Sequence, residues 1–287
     1  MATREKIKLT SYDELLGVPS DGTTDIELSK LITFKNHPFK VVEDEKMENL
    51  VESIKENGVL SPILVRKTDR DQYEIISGHR RKRACEIAGI HTIPAIVKEL
   101  DDDEAIILMV DSNIQREEIL PSEKAFAYKM KMDAMSHRGS GRSGEEQSVD
   151  KIAENEGIGS RQVFRYIRLT KLIPELLALV DEKKLTMVMA IDISYFAEDL
   201  QRAVYENIVN GKQPTKDDIS FIKRNPETIT VQDIDDLMSA EQETVKKAIN
   251  VTLKQNKLQE YFPPGYSKKE MENVIYSLLD KWRKDKN

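Results

Sequence analysis

The hydrophobic pattern of this chain changes period once, and that change limits the folds open to it. Up to about residue 118, short apolar runs (VLSPILVRK, QYEIIS, TIPAIVKEL) are bounded by turn residues and alternate with helix-like stretches. From Ser122 onward the strand-like runs stop, and apolar residues recur at helical spacing. The pattern predicts a small α+β domain followed by helices alone. In the first part, Leu31–Phe34 reads as a strand and residues 35–39 as a loop. Met47, Leu50, Val51 and Ile54 recur at i, i+3, i+4 and i+7, which predicts an amphipathic helix over Asp44–Glu56, ended by Asn57-Gly58. Two strands flank the charged turn Thr68–Asp71, Gly78 opens a helix that closes at Gly89, and Glu104–Val110 is a short helix. In the second part, Ser122, just after Pro121, caps a long helix. Residues 136–147, with three glycines and no apolar side chain, read as an exposed loop. Helices follow from Ser148 to about Arg224 and again over 231–287, interrupted at Phe262–Gly265.

Composition narrows the classes. A chain of 287 residues is long enough for two or three domains. No apolar run approaches the roughly 20 residues that span a bilayer, and the first residues show no hydrophobic leader pattern, so a cytoplasmic location with no membrane partner is expected. The single Cys85 excludes an internal disulfide and reads as a buried small hydrophobe. His37, His79, His91 and His137 show no metal-ligand spacing. A net charge of −7 speaks to solubility, whereas contact with nucleic acid depends on local patches.

One such patch is ISGHRRKRA, residues 76–84. A glycine between a strand and a helix start leaves backbone N–H groups at the positive end of the helix dipole, which is an anion site. Arg80, Arg81 and Arg83 add guanidinium forks suited to phosphate, and cations at a helix N-terminus need a compensating anion. His79 lies within the same box. Some thirty positions on, DSNIQRE (residues 111–117) supplies oxygen-bearing side chains that suit a Mg²⁺ shell around phosphates, or alternatively a polar helix end.

A second patch is Ser148–Leu172, which has the helix-turn-helix pattern. Ser148 caps a first helix with Ile152 and Ala153 inward, Gly157 makes the turn, and Ser160 caps a second helix with Val163 and Ile167 inward. Ser160, Arg161, Gln162 and Arg165 are left facing outward near its N-terminal half, where a recognition helix meets base edges, and Arg168 extends the basic side. The second helix contains no acid.

In order and spacing, VLSPILVRK, ISGHRRKRACEIAGI, IPAIV and DSNIQREEILPSEKAFAYKMK resemble the N-terminal domain of the ParB/RepB partition-protein family. GHRRKRA is similar to that family's G-E-R-R-x-R-A box and SNIQRE to its E-N-L-Q-R-E box, and the likeness extends over roughly residues 31–225. The resemblance implies a ParB/sulfiredoxin-like α+β domain, an all-α helix-turn-helix domain, and a small, mainly helical C-terminal region. The expected divisions are a flexible tail over 1–30, a nucleotide-binding domain over 31–118, a DNA-binding domain over 119–228, and a region over 229–287 that could dimerise. The cofactors implied are CTP and Mg²⁺, with Gly78, His79, Arg80, Arg81, Arg83, Gln115 and Arg116 at the nucleotide and Asn113 at the metal. The partners implied are a palindromic double-stranded DNA site, a ParA-type Walker ATPase and a second copy of the chain. Two positions depart from the pattern: Ser112 replaces the acid that family members use in hydrolysis, leaving Asp111 or Glu117 as candidates, and the N-P-x-Q-P-R stretch is reduced to Asn36–Val41. Slow CTP hydrolysis is expected. The rival readings are a nucleotide-independent transcription regulator and a phosphotransferase on the sulfiredoxin-like fold. Gly78 stands where sulfiredoxins carry a cysteine, which argues against a sulfiredoxin.

Overall fold

The computed structural model describes residues 22–68, 70–114, 116, 118–137, 142–225, 228–240, 261, 262, 265 and 267–285. Those up to Ser239 form one compact unit, and those beyond it belong to a second. The first unit opens with a five-stranded sheet: β1 (Thr24–Glu27), β2 (Leu31–Thr33), β3 (Ile63–Lys67), β4 (Tyr73–Ser77) and β5 (Thr92–Lys98), in the order β1-β5-β3-β4-β2. β1 corrects the expected tail, because Thr24–Glu27 pairs antiparallel with β5 along its whole length. The inner pairings alternate: β5 with β3 parallel, β3 with β4 antiparallel, β4 with β2 parallel.

Both faces of the inner strands are buried, which is why β3 and β4 read as continuous apolar runs. Period two divides their side chains. Ile63, Val65, Ile75, Ile93 and Ala95 face one way, onto α1 (Glu45–Asn57) and α2 (His79–Ala88), where they meet Met47, Val51, Ile54, Ala84 and Cys85. Leu64, Ile76 and Ile96 face the other way, onto α3 (Asp102–Ile114), α4 (Pro121–His137), α5 (Arg142–Glu156) and α6 (Ser160–Leu169). This second core runs across residue 118, so the expected first domain shares its hydrophobic interior with the helices that follow. A third core is purely helical, formed with α6 by α7 (Pro174–Asp181), α8 (Met187–Ile193), α9 (Glu198–Val209), α10 (Lys216–Arg224) and α11 (Val231–Ala240). Ile234 and Met238 of α11 are buried in it, so the unit extends past the expected division at 228.

Three helix starts differ from expectation. Pro121 is itself the first residue of α4, and Ser122 is buried, with its N–H and hydroxyl donating to Asp181 at 3.0 and 2.5 Å. Ser148 does not start a helix, since α5 already runs from Arg142 and Ser148 is buried within it. The expected loop over 136–147 is therefore helical from Arg142. Gly159, with extended backbone, precedes Ser160 as the cap of α6. α3 is longer than predicted and carries Asp111, Ser112 and Asn113 in its last turns. In the second unit, α12 (Lys268–Asp285) leaves Tyr276, Leu278, Leu279 and Trp282 exposed.

Candidate functional site

β4 ends at Ser77, and the chain turns straight into α2 through Gly78, at φ 109° and ψ 19°. A Cβ at this residue would lie 2.4 Å from Ile63 Cγ2 and 2.9 Å from Ile63 Cβ, so the turn requires glycine twice over, by dihedral and by space. No side chain caps the helix, and its first turn holds no acid. The end of the dipole is thus left to whatever occupies the space in front of it.

That space is a cavity of about 340 Å³ lined by Ser61, Ser77, Gly78, Arg80, Arg81, Ser112, Asn113 and Arg116. Residues thirty positions apart meet there because α3 packs beside β4 and delivers its C-terminal turn to the N-terminus of α2. The arginines are held in place. Arg80 Nη2 donates to Asp44 Oδ1 at 2.8 Å, and the same oxygen accepts from Met47 N at 2.9 Å as the cap of α1. Arg80 holds the Asp44 carboxyl below the usual range. Arg81 Nη1 donates to the carbonyls of Ser61 and Pro62 at 2.7 and 2.6 Å. The Arg116 guanidinium lies 5.6 Å from the Phe39 ring centroid. Asn113 is 2 % exposed, with Nδ2 donating to Met109 O at 2.7 Å and to Ser112 Oγ at 3.2 Å. Three guanidinium groups, a helix N-terminus and no carboxylate among the lining residues suit a polyphosphate. Asn113 and Ser112 offer neutral oxygens, enough for a Mg²⁺ ion that keeps mostly phosphate and water ligands.

Other predicted site residues lie elsewhere. Arg83 is not among the lining residues, its Nε and Nη2 donating to Glu43 at 2.8 and 2.6 Å and its Nη1 to Glu86 at 3.1 Å. His79 is 5 % exposed and packs on His37, with ring centroids 3.9 Å apart. Burial pushes its imidazole down to about 3 and that of His37 down to about 4. The aromatic contact tethers the reduced 36–41 stretch to α2. Asp111, a candidate hydrolytic acid, accepts from Lys131 Nζ of α4, a side chain 2 % exposed, and does not line the cavity. Gln115 and Glu117 lie outside the described residues. Ser61 and Ser77 were missed by sequence reasoning. So was Asp44, whose only signal was its place before an amphipathic helix.

The second predicted site centres on α6. α5 ends at Gly157, φ 66°, where Ile158 N donates back to Ala153 O, and α6 begins three residues later. Ile152, Ala153 and Val163 are buried. Arg161, Gln162 and Arg165 are exposed, and Ser160 Oγ donates to Asp150 at 2.5 Å. Arg168 is turned inward, with Nε donating to Ser194 Oγ at 2.9 Å and Nη2 to Ser194 O at 2.6 Å.

Residues 14–114 match the family model described as ParB N-terminal domain. A nucleoid occlusion protein of Bacillus mycoides is 30 % identical over 72 % of this chain and 68 % of its own length. A probable chromosome-partitioning protein ParB of Xylella fastidiosa is 31 % identical over 59 % of this chain, which spans about half (52 %) of that protein. A solved structure of C-terminally truncated chromosome-partitioning protein ParB from Caulobacter crescentus, complexed with CTP-gamma-S, is 30 % identical, covers 66 % of this chain and 99 % of its own, and superposes with a TM-score of 0.31.

Proposed function

Since this chain belongs to the ParB family of partition proteins, we propose that it is a DNA-binding partition protein whose arginine-lined cavity takes CTP with Mg²⁺. One observation carries the nucleotide reading: Gly78, Arg80 and Arg81 at the start of α2 share a single cavity with Asn113 and Arg116 at the end of α3. The N-terminal end of α2 and the Arg80, Arg81 and Arg116 forks would hold phosphate oxygens, and Asn113 would hold the metal. A Mg²⁺ ion held there would supply charge neutralisation to the phosphates. α6 reads one half of a palindromic, centromere-like site through Arg161, Gln162 and Arg165. A second copy of the chain supplies the other half, and a Walker-type ATPase moves the marked replicon.

Equilibrium binding of the four ribonucleoside triphosphates with Mg²⁺ tests the cavity. Wild type is expected to select CTP, and Arg81→Ala and Asn113→Ala are each expected to weaken it at least about tenfold, the scale of a charge-assisted hydrogen bond. No nucleotide binding, with or without DNA, supports instead a regulator that uses α6 alone.

A further inference from the structure

Arg168 follows Arg161 and Arg165 on one side of α6, yet its guanidinium is committed inside the protein. Besides its two bonds to Ser194, its Cζ stands 3.8 Å from the centroid of the Tyr195 ring. Ser194 is itself buried, and its hydroxyl donates to Ile191 O at 2.6 Å. A second cation meets the same ring: Lys223 Nζ of α10 lies 5.2 Å from the centroid and is tied to Asp192 of α8. Cations over a ring face are attracted by its quadrupole. Two of them, from two helices, hold this ring in one orientation. Even so, Tyr195 is 56 % exposed.

This ring lies at the C-terminal end of the α6 side that carries Arg161 and Arg165. Lys171 lines the cavity beside it. Glu198 also lines that cavity, but its carboxylate is engaged by Arg202 at 2.8 Å. A rigid, exposed phenol among cations, at the far end of a helix whose first turns meet base edges, is placed where the sugar-phosphate backbone rises out of the groove.

We infer that Tyr195 is a DNA-backbone contact whose hydroxyl donates to a phosphate flanking the sequence read by α6, and that Arg168 is the positioning residue that fixes its ring. The inference rests on the DNA-reading role proposed for α6. It assigns to Arg168 a different part from the base or phosphate contact that helix spacing alone predicts.

The test uses the full chain and a duplex selected from a random library by the wild type. Tyr195→Phe keeps the stacked ring and removes only the hydroxyl. It is expected to weaken binding to the selected duplex and to an unrelated duplex by the same factor, about 3–10-fold, leaving sequence preference and CTP binding unchanged. Replacing single phosphates by methylphosphonates should reveal one position that weakens wild type but not Tyr195→Phe. Equal affinities of wild type and variant, or a loss confined to one sequence, would overturn the assignment. Failure of the wild type to bind any duplex would overturn the α6 reading itself, and this inference with it.

Discussion

At Gly78 the backbone turns at φ 109° with Ile63 packed against the space where a Cβ would stand, so β4 can run directly into the uncapped start of α2. That residue was identifiable from its place between an apolar run and a helical one. The roles of the neighbouring cations were not, because residue type does not say which way a side chain points. Arg80 and Arg81 line the cavity, while Arg83, three residues on, is spent on Glu43 and Glu86. Ser112 also lines the cavity, where the family pattern has an acid, and Asp111 is occupied by Lys131. The residues present are suited to holding a triphosphate more than to cleaving it. Multiple-turnover phosphate release from CTP is expected to be slow in wild type and to rise in Ser112→Glu, toward the roughly 10²–10⁴-fold that one well-placed acid–base group contributes. An unchanged rate in that variant counts against Ser112 as the reason for slowness.

The elements around the cavity are joined by buried polar contacts that make its geometry depend on several segments at once. Glu123 of α4 accepts from Lys40 N at 2.8 Å and from Leu120 N at 3.1 Å, tying the 36–41 stretch to the helical part. From the other side, the His37 ring packs at a tilt of 43° against His79 of α2, with His37 Nδ1 2.7 Å from Phe39 O. Both imidazoles are neutral in the folded protein, their pKa values held near 4 and 3 by burial. The unfolded chain takes up protons near the ordinary value of about 6.5, so it binds more protons than the folded chain below that pH. Stability is therefore complete above about pH 6.5 and falls as pH drops toward 4, by roughly 1–2 kcal/mol per ring at pH 5. Urea midpoints at pH 7.5 and 5.0 should show this loss, and His37→Phe/His79→Phe should show less of it. An equal loss in wild type and double variant would place the acid sensitivity elsewhere.

At the scale of the whole chain, the sheet shares a hydrophobic core with α3 to α6 in the first unit, whereas α12 of the second unit keeps Tyr276, Leu278, Leu279 and Trp282 exposed on an 18-residue helix. Such a surface favours self-association over exposure to water. Sedimentation equilibrium is expected to show a dimer for wild type and a shift to one chain's mass for Trp282→Glu. A wild-type monomer at micromolar concentration would remove α12 as the dimer contact. Strands β2 to β5, the helical character of the chain after Ser122, Gly78 at the helix start and the exposed basic residues of α6 were determined by the sequence alone, whereas β1 and the start of α5 were not. The former depend on periodicity, turn chemistry and local charge, which act within a few residues. Only the tertiary structure decided that Arg116 joins Arg80 and Arg81 while Arg83 does not, that His79 is buried against His37, and that Arg168 supports Tyr195. Those outcomes follow from how separate segments pack and from which oppositely charged or aromatic group reaches each side chain first, and neither is encoded in the spacing along the chain.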